Sequence, residues 1–429
     1  MIPFADGNFS RVSELEAGMK RKQSRLIAML TTGDAGSKKP AKKSGVRTRS
    51  KVSPDHVHRL VASLVGDHMH AKRVLSLSSG VIGTMHAASL GVHAIGLGLA
   101  DVVGLEKKHA VKQIDRLLSN RRIVIWDEFA YWVPFVLGAR TSAVIALDWT
   151  DFDADDQTTL CLNLITDHGR ATPLMWMTVK KSELAERRNG YEDKLLERLS
   201  EVVRDEVDVT IIADRGFGDQ ARYEHIESLG FKFIIRFREG IHVGQRGDEL
   251  RIASELVPPG GRALMLKDVE VTHQRTPLPA VVLVKARKMK EAWCLATNRS
   301  DMTARQVVAT YSRRFTIEET FRDTKDIRFG FGMSSSRISN PERRDRLFFL
   351  SAIAFVLLTL LGAAGEALGL DRYLKVNTSK KRQLSLPRQG SEWYTLIPMM
   401  ETARLRKLMA KFGEMIEAHV LCRRVVGVI

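Results

Sequence analysis

Four residues between positions 311 and 325 have types and a spacing that could do chemistry. They are Tyr311, Arg314, Glu318 and Lys325. On a helix that turns by about 100° per residue, their side chains share one stripe roughly 60° wide and about 20 Å long. A carboxylate flanked by two cations and a phenol suits a metal-bound phosphodiester better than an apolar core. The alternative is a surface helix with scattered charges, because polar faces on helices are common.

One long helix, starting near Thr303, is predicted to hold these four side chains. Thr303 followed by Gln306 forms a candidate capping box at its start. On this helix Glu319 falls at about 80°, outside the stripe. Glu318 is therefore the better functional candidate of the two adjacent glutamates.

Two aspartates follow apolar segments that are predicted to be strands. Asp148 is the first polar residue after 142–147, and Asp214 follows 207–213. Ends of strands in α/β sheets are where active sites gather. With Glu318 they make three carboxylates without His or Cys, a set that suits Mg²⁺ or Mn²⁺. Two such ions can support phosphodiester cleavage.

Both aspartates have alternative interpretations. The acidic run at 151–156 could supply another ligand in place of Asp148, although it is more typical of a solvated turn. Asp214 precedes Gly216 and Gly218, so it could simply form a turn.

The charge balance points to an anionic partner. The chain has 429 residues and a formal net charge of +17, which favours contact with nucleic acid or an anionic membrane. Its three cysteines form no CxxC pair, which argues against a disulfide framework and a Cys-based zinc site. We expect a cytoplasmic protein.

An uncharged apolar segment at 347–365 is long enough to cross a membrane. Arg343, Arg344 and Arg346 precede it and would also suit a membrane anchor. Polar residues and alanines dilute the segment, and the sequence contains no second span. We therefore predict a buried helix and no membrane contact.

The sequence divides into four parts. Residues 1–53 are predicted to be a basic flexible leader and linker, and residues 54–140 a helical DNA-binding region. Within that region, 93–103 and 107–118 form a candidate helix-turn-helix, whose second helix carries Lys107, Lys108, Lys112 and Arg116. An ordinary helical hairpin with a solvated basic face is the alternative.

The remaining two parts are an α/β core and a helical end. Residues 141–340 alternate between strand and helix patterns and contain a β-rich insertion at about 240–298. Residues 341–429 are predicted to be helical and are a candidate dimerisation region.

Three motifs in this order resemble those of the bacterial DDE transposases of the insertion-sequence-four family. They are IALDWT at 145–150, IIADRGFGD at 211–219 and YSRRFTIEETFRDTK at 311–325. The third has that family's Tyr, Arg, Glu and Lys at every defined position. The resemblance covers about residues 70–365 and implies an RNase H-like mixed sheet with a β insertion.

The resemblance also implies roles for individual residues. Asp148, Asp214 and Glu318 would be the catalytic, metal-binding triad, and Tyr311, Arg314 and Lys325 would hold DNA near the cleaved phosphate. WCLATN at 293–298 is similar to the place where the family keeps an aromatic residue that stacks on a flipped base, which is Trp293 here. A tryptophan packed at a strand edge is the alternative.

The implied activity is cut-and-paste transposition through a DNA hairpin. Its partners would be the element's terminal inverted repeats, the target DNA and a second copy of the chain. Two other functions remain open from the sequence: an RNase H-fold nuclease without strand transfer, and an inactive, transposase-derived DNA-binding protein.

Overall fold

The computed structural model describes residues 54–287, 289–326, 330–376 and 378–422. The predicted leader at 1–53 lies outside the described residues. The described part is a mixed α/β protein with helical regions before and after a central sheet. It is consistent with the RNase H-like fold predicted from the sequence, whereas the four-part division by residue number stays a prediction.

Within the described residues, five helices precede the sheet. They are α1 (Pro54–Val65), α2 (Ala71–Ala87), α3 (Val92–Val103), α4 (Lys107–Leu118) and α5 (Ile125–Leu137). Gly104 adopts a left-handed conformation with φ +75°, which ends α3 and allows the turn into α4. The two helices of the candidate helix-turn-helix are therefore present, at nearly the predicted bounds.

The sheet has ten strands in the order β3-β2-β1-β4-β5-β10-β9-β8-β6-β7. The pairs β1–β4 and β4–β5 are parallel, and the other pairs are antiparallel. The strands are β1 (Ser142–Phe152), β2 (Gln157–Ile165), β3 (Ala171–Lys180), β4 (Asp208–Ala213), β5 (Lys232–Phe237), β6 (His242–Gln245), β7 (Arg251–Ile252), β8 (Leu264–Val271), β9 (Thr276–Val284) and β10 (Trp293–Thr297).

The β-rich segment predicted at 240–298 supplies β6 to β10. Its last strand, β10, pairs with β5 of the core through Cys294↔Phe237 to Thr297↔Ile234. The inserted strands therefore continue the central sheet and do not form a separate one.

Two helices within the core connect its strands, and five more follow the sheet. They are α6 (Arg188–Val202) and α7 (Gln220–Ser228), then α8 (Ala304–Ser312), α9 (Phe315–Lys325), α10 (Pro341–Ala367), α11 (Leu386–Leu396) and α12 (Thr402–Cys422). Helices α8 and α9 pack on one face of the sheet, where Val307, Tyr311 and Ile317 meet Ala146 and Ile212.

The apolar helix α10 runs through the interior. It could cross a membrane by length and composition, but its most apolar window is buried inside the protein. It contacts α2, α11, α12 and β3. The prediction of a buried helix is confirmed.

Two of the arginines before this segment also stabilise the fold. Arg344 is fully buried and pairs with Asp155 at 2.5 Å, and Arg346 donates to the carbonyls of Leu118 and Ile123 at 3.0 and 2.9 Å. These contacts compensate the buried charges, so the arginines anchor α10 to the sheet and to the helices before it.

Close contact between α10 and α11 requires glycine. A Cβ added at Gly390 of α11 would overlap the carbonyl group of Leu358 in α10. We predict that Gly390→Ala lowers the free energy of unfolding by about 1–3 kcal/mol, because the helices must separate to relieve the overlap. Urea denaturation followed by circular dichroism measures this change.

Gly190→Ala in α6 is the matched control. A Cβ there meets nothing within 4 Å, so the substitution should be neutral or stabilise by up to about 1 kcal/mol through helix propensity. Equal stabilities for the two variants would contradict the packing described for α10 and α11.

Candidate functional site

Parallel pairing of β1 with β4 places the two candidate aspartates side by side. Leu147 of β1 pairs with Ala213 of β4. Asp148 is the next residue of β1 and Asp214 directly follows β4, so both lie at the same level of the sheet. The Asp214 carboxylate accepts a hydrogen bond from the N–H of Gly216 at 2.8 Å, so it also shapes the turn that leaves the strand.

The predicted end of β1 was wrong. The strand does not stop before Asp148 but continues to Phe152, because β2 pairs with it as far as Phe152↔Gln157. Asp148 therefore lies inside β1, opposite Cys161. This pairing with β2 fixes its backbone more firmly than the end of a strand would.

The single long helix predicted near residue 310 was also wrong, although its capping box at Thr303 and Gln306 is present. The N–H groups of Arg313 and Arg314 bond to carbonyls three residues back, and this breaks the helical ladder between α8 and α9. The Thr316 hydroxyl donates to the Arg313 carbonyl at 2.8 Å. Such local hydroxyl bonds compete with the regular ladder and bend helices.

Arg314 joins two of the three candidate carboxylates. Its Nη1 donates to Asp148 Oδ2 at 3.1 Å, and its Nη2 donates to Glu318 Oε1 at 2.7 Å. The Arg314 side chain is 9% exposed, whereas that of Glu318 is 52% exposed. The guanidinium thus lies between a largely buried carboxylate on the sheet and a more exposed one on α9.

Burial raises the pKa of Asp148 to about 6. The Arg314 guanidinium opposes that shift, whereas the Asp214 and Glu318 carboxylates add to it. Since the Asp214 and Glu318 charges both act on Asp148, the three acidic groups form one electrostatic cluster.

Tyr311 and Lys325 lie at the two ends of this cluster. Tyr311 is 2% exposed, and burial raises its pKa to about 12, so it remains a protonated phenol at neutral pH. Lys325 Nζ donates to the carbonyl of Asp151 at 2.7 Å and lies 5.2 Å from the Phe152 ring centre. Arg314 and Lys325 therefore lie along β1, beside Asp148 and Asp151, whereas Tyr311 lies beside Trp293 of β10.

Trp293 faces the same region. Its ring lies edge-on to Tyr311, with centres 5.0 Å apart, and 5.9 Å from the ring of Phe315. Phe315 is 45% exposed. Sequence reasoning missed Phe315, for which the available signal was a large apolar residue within an otherwise polar motif.

The acidic run after Asp148 forms ion pairs with residues outside the cluster. Asp151 and Asp153 both pair with Lys181, at 3.0 and 2.6 Å, and Asp155 holds the buried Arg344. These contacts favour Asp148 over the run as the partner of Asp214.

The donor set fits a hard divalent cation by its chemistry. Carboxylate oxygens without imidazole or thiolate are the ligands that Mg²⁺ and Mn²⁺ prefer. In the described part of the chain, no three His, Cys, Asp or Glu side chains form a group ready to hold a metal ion. The Arg314 guanidinium bridges Asp148 and Glu318, so it must move aside for both to bind one cation.

The candidate DNA-facing residues of α4 are all exposed. Lys107, Lys108, Lys112 and Arg116 lie on the outer face, whereas Ala110 and neighbouring aliphatic residues face the core. Lys108 forms an exposed ion pair with Glu106 at 3.1 Å. The structure does not bring these cations into contact with the acidic cluster.

The balance of charge around Arg314 predicts an energetic coupling. Arg314→Gln leaves Asp148 and Glu318 without their countercharge, so we expect the free energy of unfolding to fall by roughly 1–3 kcal/mol. Combining it with Asp148→Asn should recover part of this loss, because an amide needs no countercharge. Urea denaturation of the four proteins in the double-mutant cycle measures the coupling.

Arg313→Gln is the control for this cycle. Its partner Asp167 lies 2.6 Å away, but that side chain is 89% exposed. The loss should stay below about 1 kcal/mol, as for other surface ion pairs. Strictly additive effects of Arg314→Gln and Asp148→Asn would contradict the coupling.

Comparison with known proteins identifies the family of the chain. A search of curated proteins finds no match. The family model described as "Transposase DDE domain" matches residues 140–357, about half of the chain. The match extends from the start of β1 into α10 and includes Asp148, Asp214 and Glu318. The chain therefore belongs to the DDE transposase family.

Proposed function

We propose that the protein is a cut-and-paste transposase of the insertion-sequence-four type. The observation that carries the proposal is the cluster of Asp148, Asp214 and Glu318 beside the cations and phenol of the 311–325 motif. The family match supports the transposase function. The motif at 311–325 supports the assignment to the insertion-sequence-four type.

In this proposal Asp148, Asp214 and Glu318 would hold two Mg²⁺ or Mn²⁺ ions. When bound, such ions activate the attacking oxygen and stabilise the leaving one. The sheet fixes Asp148 and Asp214, whereas Glu318 on α9 is exposed enough to adjust as the site fills. Arg314 then exchanges its carboxylate partners for non-bridging phosphate oxygens, which makes it both a countercharge and a ligand for DNA.

The neighbouring side chains hold the DNA end. Lys325 points along β1, where its ammonium can meet a phosphate, and the protonated Tyr311 hydroxyl can donate a hydrogen bond. Trp293, with the exposed Phe315 beside it, offers a surface for an unpaired base. Stacking on such a surface contributes about 1–3 kcal/mol per base. An extruded base is what cleavage through a DNA hairpin requires.

The partners in this proposal are the element's terminal inverted repeats, the target DNA and a second protomer in the paired-end complex. The C-terminal helices are the candidate dimer surface. The protein would act in the bacterial cytoplasm, on the nucleoid.

Alanine substitution tests the catalytic assignment. Asp148→Ala, Asp214→Ala and Glu318→Ala should each abolish metal-dependent cleavage of a duplex that carries the element's end, because one cation ligand is lost. Binding of the end, measured by fluorescence anisotropy, should stay within about two-fold of the wild type, since no phosphate contact is removed.

Glu319→Ala is the matched control. Glu319 is the next residue on α9 but pairs with Arg170 and Arg322, so cleavage should persist. Full cleavage by all three triad variants would exclude the assignment. Joining of pre-cleaved ends to a target plasmid separates a transposase from a nuclease without strand transfer.

The exposed cations of α4 predict a salt-dependent contact with DNA. If Lys112 and Arg116 each neutralise one phosphate, replacing either by Ala should lower the slope of log K against log salt by about 0.9. Lys232→Ala is the control, because Lys232 is an exposed lysine at the start of β5, outside the candidate helix-turn-helix. An unchanged slope in both α4 variants would favour an ordinary helical hairpin.

A further inference from the structure

An ionic cluster centred on a buried glutamate lies beside Trp149, the residue that follows Asp148. Its centre is Glu192 of α6, which is 1% exposed. The Glu192 carboxylate accepts hydrogen bonds from Trp149 Nε1 at 2.7 Å, Arg188 Nε at 3.1 Å and Arg222 Nη2 at 2.8 Å. Three donors from three different elements, β1, α6 and α7, thus meet on one carboxylate.

Trp149 links this cluster to Asp148. The backbone N–H of Trp149 donates to Asp148 Oδ1 at 2.9 Å, and its indole N–H donates to Glu192. The hydrogen bond to Glu192 therefore fixes the residue whose own N–H orients the Asp148 carboxylate.

Arg188 extends the cluster to the segment after Asp214. Its guanidinium lies 5.5 Å from the Trp149 ring and 5.8 Å from the Phe217 ring. Phe217, three residues after Asp214, is 2% exposed. The Arg188 guanidinium thus lies beside Trp149, which follows Asp148, and beside Phe217, in the turn that follows Asp214.

Arg222 of α7 completes the cluster. It is 2% exposed and bonds to Glu192, Asp193 and the carbonyl of Asn189. Leaving such a buried charge unpaired would cost several kcal/mol. The contacts of Arg222 therefore hold α6 and α7 together around Glu192.

We propose that Glu192, supported by Arg188 and Arg222, is a positioning residue that sets the geometry of Asp148 and Asp214 by holding Trp149 and the turn at Phe217. The inference rests on the proposed function, because it concerns the cation that the two aspartates would bind. Outer partners of metal ligands typically change metal affinity by about 10- to 100-fold when they are removed.

Binding of Mn²⁺ to the full-length protein without DNA tests this role, with the electron paramagnetic resonance signal of free Mn²⁺ as the readout. Glu192→Ala should weaken binding by about 10-fold or more. Trp149→Phe removes the indole N–H but keeps a ring beside Arg188, so it should weaken Mn²⁺ binding less than Glu192→Ala does. It also tests the link to Asp148 if Glu192→Ala does not fold. The double variant should bind no more weakly than Glu192→Ala, because both changes break the same hydrogen bond.

Glu128→Gln separates positioning from general stability. Glu128 is also a buried glutamate, 5% exposed, but its partner is His68 at 2.8 Å on the loop before α2. This variant should lower the thermal midpoint while leaving Mn²⁺ affinity within about two-fold of the wild type.

The outcomes distinguish this inference from the proposed function. Wild-type affinity in both Glu192→Ala and Trp149→Phe would overturn the positioning role and leave the function standing, provided that Asp148→Ala abolishes binding. If the wild type binds no Mn²⁺, or if Asp148→Ala leaves binding intact, the proposed metal site fails and the inference fails with it.

Discussion

Carboxylates placed close together in a half-buried site repel one another, and the structure depends on how that repulsion is balanced. Pairing of β1 with β4 brings Asp148 to the same level of the sheet as Asp214, which directly follows β4. The compensating charge comes from Arg314, which contacts Asp148 and Glu318 together. A guanidinium held by two carboxylates marks a place where a cation is stable, and this supports the proposal that a divalent metal binds there.

Elements away from the site help to hold these carboxylates in place. Helix α10 fills the interior between the N-terminal helices and the sheet, and Arg344 and Arg346 at its start satisfy groups on both sides. On the other side of the pair, α6 and α7 present a buried cluster to Trp149. The aspartates are therefore supported by rigid elements, whereas Glu318 lies on a helix that begins after a break in hydrogen bonding.

Local patterns in the sequence predicted most of the elements, whereas the roles of the candidate residues stay predictions. Apolar runs before the two aspartates indicated β1 and β4, and the capping box at Thr303 and Gln306 indicated the start of α8. These predictions of elements succeeded because each depends on residues near one another in the chain. The apolar composition of α10 likewise indicated a buried helix.

The features that sequence reasoning missed depend on contacts between distant residues. The extension of β1 through Asp148 requires β2 as a partner, and the break before α9 depends on hydroxyl bonds that a helical periodicity does not show. The pairing of Arg344 with Asp155 and the hydrogen bond from Trp149 to Glu192 join residues 189 and 43 positions apart. No sequence motif predicts such pairs, because the two residues come together only when the sheet and the helices have assembled.

Anomalous diffraction from a Mn²⁺-bound crystal would test the central claim most directly. We expect an anomalous peak among the carboxylates of Asp148, Asp214 and Glu318, with the Arg314 guanidinium turned away from the two carboxylates that it now bridges. A crystal in which Mn²⁺ binds elsewhere, while Arg314 still contacts Asp148 and Glu318, would contradict it.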